Sequence, residues 1–143
     1  MSAEGYNLLY NMFSLGIASM LFTTIFLFVA RERVLPRYRM AVMVSATVTG
    51  IAAYHYFRMF DSFNEAFGPH AVEGAVYNVG YRYVDWFLTV PMQVIEFYLI
   101  MKAASGASGT GLFWKLFLSS LVMLTAGYLG ETKVVNEWMC FFV

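Results

Sequence analysis

The chain has 143 residues, of which 60% are hydrophobic, 19% aromatic and only 13% charged, against about 25% charged in an ordinary soluble domain. Nine basic and nine acidic side chains leave no net charge, so the sequence offers no electrostatic footprint for nucleic acid. A single cysteine, Cys140, excludes an intrachain disulfide, and His55 and His70 are too few for a His-dominated metal site; the composition is that of an integral membrane protein.

Taken in chain order, the uncharged stretch from Gly5 to Ala30 is too long for the core of a signal peptide, and no basic residue precedes it. It predicts a first span over about residues 6–30. Arg31, Arg33, Arg37 and Arg39 follow, with Glu32 among them and Pro36 breaking the helix. A second span is predicted over about 40–60, uncharged until His55 and Arg58 near its end. The connection 61–78 holds Asp61, Glu65 and Glu73 with Gly68-Pro69, and its length allows a small turn or hairpin. A third span covers about 80–102. The flexible link ASGASGTG leads to a fourth over about 112–130, with Lys115 snorkelling to the interface. A fifth apolar run begins at about 134 and reaches only Val143, too short to cross roughly 30 Å of hydrocarbon. The expectation is one incomplete transmembrane domain over 1–143, a piece of a longer chain or one completed by a second chain.

Charge orients these spans. The first connection counts +3 (four arginines less Glu32) and the third +2 (Lys102, Lys115). The second counts −3 (Asp61, Glu65, Glu73) and the fourth −1 (Glu131, Glu137 less Lys133). By the positive-inside bias the first and third connections are cytoplasmic and the N-terminus is outside.

The third span carries the chemistry. Nine Val, Leu, Ile and Phe between Val84 and Ile100 each return about 0.3–0.6 kcal/mol on insertion. Asp85 and Glu96 each cost about 2.5–3.5 kcal/mol at the centre of a bilayer helix, which cancels most of that. Such a helix needs neighbours that shield its carboxylates. Asp85 and Glu96 stand eleven residues apart, about three turns and roughly 16 Å along the axis, so both fall on one face at different depths. Arg82 and Thr89 flank Asp85 at i−3 and i+4 on that face. Ionisable groups stacked along a protected face suit a proton relay; a structural ion-pair cluster is the alternative. His55, near the outer end of the antiparallel second span, lies at a depth close to that of Asp85 and can orient its carboxylate or simply pack.

With Arg82-Tyr83-x-Asp85-Trp86-x-x-Thr89-x-Pro91 and then Glu96, the third span resembles that of microbial (type 1) rhodopsins. It is most similar to the proteorhodopsin group, in its blue-absorbing form. HYFRMF in the second span and LFLSSLVMLTAGYLGE in the fourth extend the likeness from about Ala30 onward. The resemblance implies an all-α membrane protein, the first four to five helices of a seven-transmembrane-helix bundle that binds retinal. It implies a light-driven outward proton pump, an ion transporter and not an enzyme, in the inner (plasma) membrane. Asp85 would be Schiff-base counterion and proton acceptor, Thr89 part of the Asp-Thr-Glu triplet, and Glu96 the internal donor. Arg82 would steer the released proton outward and His55 would bond the acceptor. Tyr83, Trp86, Met123, Gly127 and Trp138 match positions around the retinal, and Gln93 matches a position that tunes colour. In the family, retinal is attached to a lysine of the last helix; Lys102, Lys115 and Lys133, at helix ends or connections, match no such position. Missing C-terminal helices or a complementary chain, a homo-oligomer and the lipid bilayer are the partners implied. A photosensor using the same pocket is the nearest alternative, followed by a non-photoactive helical scaffold.

Overall fold

The structure, a computed structural model, describes residues 2–71, 73–78, 80–106 and 109–132. Four long helices follow one another: α1 (Ala3–Ala30), α2 (Arg39–Phe67), α3 (Gly80–Ser105) and α4 (Thr110–Glu131). Two single 3-10 turns, Arg31–Arg33 and Pro36–Tyr38, join the first pair. No strand occurs among the described residues. All four helices are long and apolar enough to cross a membrane, at about 1.5 Å of rise per residue.

Local chemistry sets the helix ends. Ser2 caps α1 by accepting a hydrogen bond from the Gly5 N–H at 3.2 Å, satisfying a donor the first turn leaves free. Pro36 opens its 3-10 turn, where a missing N–H costs nothing. The second helix runs on through Asp61 and Glu65 to Phe67, beyond the end expected from hydropathy. Leaving the apolar layer does not stop a helix, since its backbone bonds continue until the sequence breaks them. Gly68-Pro69 breaks them: a Cβ at residue 68 would lie 2.4 Å from the Asn64 carbonyl oxygen, so only glycine fits. At the end of α3, Gly106 takes φ +69° and its N–H bonds the Lys102 carbonyl at 3.0 Å, a left-handed cap that glycine adopts without a Cβ penalty. Pro91 sits inside α3, which stays helical throughout.

Each helix packs on its neighbours in sequence, with the α1–α2 and α2–α3 seams more extensive than α3–α4. Helix α2 therefore sits between two partners and holds most of the buried positions, among them Ala41, Ala46, Ala53, His55, Met59 and Phe63. Small residues there let backbones approach, which in lipid is a main source of helix association. The α1–α2 seam has an aromatic end, where Tyr6 stacks on Phe63 at 5.3 Å and donates to Asn64 Oδ1 at 2.9 Å. Nearer its other end Thr24 meets Thr49, hydroxyl to hydroxyl, at 2.9 Å. By contrast α1 has no buried residue, and Phe22, Ile25 and Phe26 stand more than half exposed, as a lipid-facing surface does. The chain is a multi-pass membrane protein, all-α in fold.

The Thr24–Thr49 contact should be worth about 0.6 kcal/mol, the average for such bonds between membrane helices. A double-mutant cycle of Thr24→Val and Thr49→Val, read by unfolding in mixed detergent micelles, measures it. Strictly additive effects would contradict the contact.

Candidate functional site

The α2–α3 seam carries two polar pairs, one toward each end. In the first, Asp85 lies one to two turns into α3 and is 4% exposed. Across the seam His55, 7% exposed, brings Nδ1 to 3.4 Å from Asp85 Oδ1. The same Nδ1 is 3.0 Å from the Ile51 carbonyl oxygen. Facing two acceptors, Nδ1 is the nitrogen that carries a proton. Its bond to Ile51 fixes the ring, and Tyr54 packs edge-on against it at 5.2 Å. Asp85 Oδ1 itself has no hydrogen-bond partner among the described residues. A buried oxygen left in that state is costly and asks for a cation, a donor or a proton.

The second pair is Ser45 and Glu96, whose hydroxyl and Oε1 are hydrogen-bonded. Ser45 Oγ also lies 3.2 Å from the Ala41 carbonyl oxygen. Glu96 is half-buried. From His55 back to Ser45 is ten residues and from Asp85 on to Glu96 eleven, so antiparallel helices bring both pairs into register. Ser45 is the residue that sequence reading passed over. A serine inside an apolar span is compositionally silent, and only the register of α2 against α3 reveals its partner.

Thr89 is buried, and its hydroxyl donates to the Asp85 backbone carbonyl at 2.9 Å, the local bond a helical threonine commonly makes. It therefore shares the Asp85 face without holding the carboxylate. Arg82 is exposed, its guanidinium 6.0 Å from the Trp86 ring centroid. Arg82, Asp85 and Trp86 line one cavity of about 250 Å³, with Tyr56 and Met59 of α2 and Tyr77 of the connection. Sequence reading did not single out Tyr56 or Tyr77, which share this cavity with Asp85 because α2 and the connection fold back beside α3.

Of the predicted chromophore-lining residues, Tyr83, Trp86 and Gly127 form one cluster. The Tyr83 ring meets Trp86 edge-on at 5.4 Å and its hydroxyl donates to the Gly127 carbonyl at 3.1 Å. This bond ties α3 to α4. Gln93 and Met123 are exposed on α3 and α4. Trp138 lies outside the described residues, as does Lys133. Lys102, in the last turn of α3, and Lys115 are both exposed. Among the described residues no group of three or more His, Cys, Asp or Glu could hold a metal.

The geometry can be set beside known proteins. The sequence profile of bacteriorhodopsin-like proteins matches residues 7–143. A green-light absorbing proteorhodopsin from Gamma-proteobacterium EBAC31A08 is 41% identical over 131 residues, 92% of this chain and 49% of that protein. A blue-light absorbing proteorhodopsin from Gamma-proteobacterium Hot 75m4 is 42% identical over 131 residues, with the same coverage of 92% and 49%. Among solved structures, xanthorhodopsin, described as a light-driven ion pump with dual chromophore, superposes with a TM-score of 0.82 at 39% identity. That match covers 92% of this chain and 54% of that one. The chain thus spans about half the length of the relatives it matches, and its four helices correspond to the N-terminal part of the seven-helix rhodopsin fold.

Tyr83→Phe removes one cross-helix donor and leaves the Gly127 carbonyl without it. The expected loss is about 0.5–1.5 kcal/mol of stability, measured by the same detergent unfolding; an unchanged midpoint would show that the bond does not tie α3 to α4.

Proposed function

The chain belongs to the bacteriorhodopsin-like family, and on that premise we propose that it forms the proton-handling part of a light-driven outward proton pump with a retinal chromophore. The observation that carries this reading is the buried carboxylate of Asp85, held beside His55 with one oxygen unpartnered. The site fits such a group: an unsatisfied buried anion has a place for a cation, and Trp86 with Tyr83 provides an aromatic wall next to it. Retinal, when bound, supplies light absorption and the positive charge that this anion faces.

The protein's own residues divide the remaining work. Asp85 is the acceptor. Because Oδ1 makes no hydrogen bond, a proton arriving there breaks none. His55 keeps its Nδ1 proton on the Ile51 carbonyl and so holds a fixed dipole toward the carboxylate in both protonation states. Arg82, beyond Asp85 in the same cavity, favours the anion by its charge and favours release of a proton away from itself.

Glu96 is the donor. The Ser45 hydroxyl owns one proton and faces two acceptors, the Ala41 carbonyl and Glu96 Oε1. By donating to Glu96 Oε1 the hydroxyl holds the carboxyl in place on the α2–α3 seam. Two carboxyl groups in unlike settings, one with an unpartnered oxygen and one held by a hydroxyl, are how acid and base roles are divided. Their separation of roughly 16 Å along the helix is far beyond one hydrogen bond, so they act at different stages. The loop charges set the direction, with Glu96 on the cytoplasmic side and Asp85 toward the outside. On this reading the N-terminus faces outside and the membrane is the plasma membrane. The Ser45–Glu96 pair favours a pump over a photosensor, because a built internal donor serves turnover and not signalling.

Illuminated cells that express the protein and are supplied with retinal should acidify their medium. Asp85→Asn should cut that flux by on the order of 100-fold or more. An absence of light-dependent proton movement in the unmodified protein would end the pump reading. Glu96→Gln should slow reprotonation in the photocycle strongly, and Ser45→Ala by about fivefold, the worth of one hydrogen bond. Flash spectroscopy reads both, and unaltered recovery in both variants would remove the donor role.

A further inference from the structure

The connection between α1 and α2, with the first residue of α2, holds four guanidinium groups that the proton path does not use. Arg31 is fixed, with its guanidinium 4.2 Å from the Phe28 ring centroid and its Nη1 3.2 Å from Met43 Sδ. Arg39 is fixed by the carbonyls of Val34 and Glu32, both at 3.4 Å. Arg33 and Arg37 are exposed. Among the described residues Arg33, Arg37 and Arg39 form no ion pair, and the one carboxylate in the segment, Glu32, reaches only Arg31 at 3.9 Å. A guanidinium has five donors, so most of the donors in this cluster are unspent. The segment joins two membrane-spanning helices directly, which puts it at the boundary of the hydrocarbon layer. Leu35 and Met40, 59% and 63% exposed, stand among the arginines.

We infer that this turn is a binding surface for anionic phospholipid headgroups. The arginines match phosphate oxygens in charge and fork geometry, while Leu35 and Met40 meet the acyl chains just below. The two 3-10 turns matter because they spread four cations over one short arc and fix two of them in advance. Preorganised donors lose less freedom on binding than free ones. The partner is a membrane lipid and not a soluble anion, because the exposed apolar side chains have no use for the latter.

Spin-labelled phosphatidylglycerol and phosphatidylcholine, in phosphatidylcholine vesicles that hold the purified protein, report the preference by electron spin resonance. Phosphatidylglycerol should associate preferentially, and the preference should fall as sodium chloride rises. The Arg33→Gln, Arg37→Gln pair should weaken it by about fivefold per charge removed, whereas the Arg33→Lys, Arg37→Lys pair should keep most of it. A preference that salt does not touch in the unmodified protein would overturn the inference, whatever the variants do. So would full retention in the glutamine pair. Displacement of the lipid by inorganic phosphate alone would assign the arginines to a free anion instead, and overturn the lipid reading.

Discussion

Everything in this bundle is arranged around a carboxylate kept away from water. Asp85 is 4% exposed in a helix otherwise suited to lipid, and burying such a group costs several kcal/mol unless something meets its charge. Helix α2 supplies the answer available within this chain: an imidazole at 3.4 Å, its ring fixed by the Ile51 carbonyl. Small buried residues on the same helix, Ala46 and Ala53 among them, allow the close packing that such contacts require. The compensation is incomplete, since Oδ1 is left without a hydrogen bond. That deficit is the feature on which the proposed acceptor role rests.

Much of this arrangement was legible in the residues. A carboxylate deep in an apolar span announces itself by its cost, and counting from approximate helix ends brought His55 to the depth of Asp85, where the structure has it. Ser45 was not legible. A small hydroxyl in an apolar run carries no signal of its own, and its importance comes from facing Glu96 across the seam. The end of α2 was misjudged for a different reason. Hydropathy marks where the membrane stops, but α2 continues to Phe67 until Gly68-Pro69 interrupts its backbone bonds. For the chromophore wall, the structure ties Tyr83 to Trp86 and to Gly127, while Gln93 and Met123 stand exposed on α3 and α4.

The two polar pairs of the α2–α3 seam differ in kind. At Asp85 an oxygen faces a fixed N–H nearby without a bond of its own; at Glu96 the carboxyl is engaged by a serine whose single proton has another claimant. That difference comes from two residues of α2 ten positions apart, and the proposed division of tasks between the two carboxyl groups rests on it.

Time-resolved infrared spectroscopy of the retinal-bound protein tests this division most directly, because a carboxyl stretch appears only when the group is protonated. Under light one such band should grow, absent in Asp85→Asn, and a second should bleach later, absent in Glu96→Gln. A photocycle in which neither band changes would contradict that division.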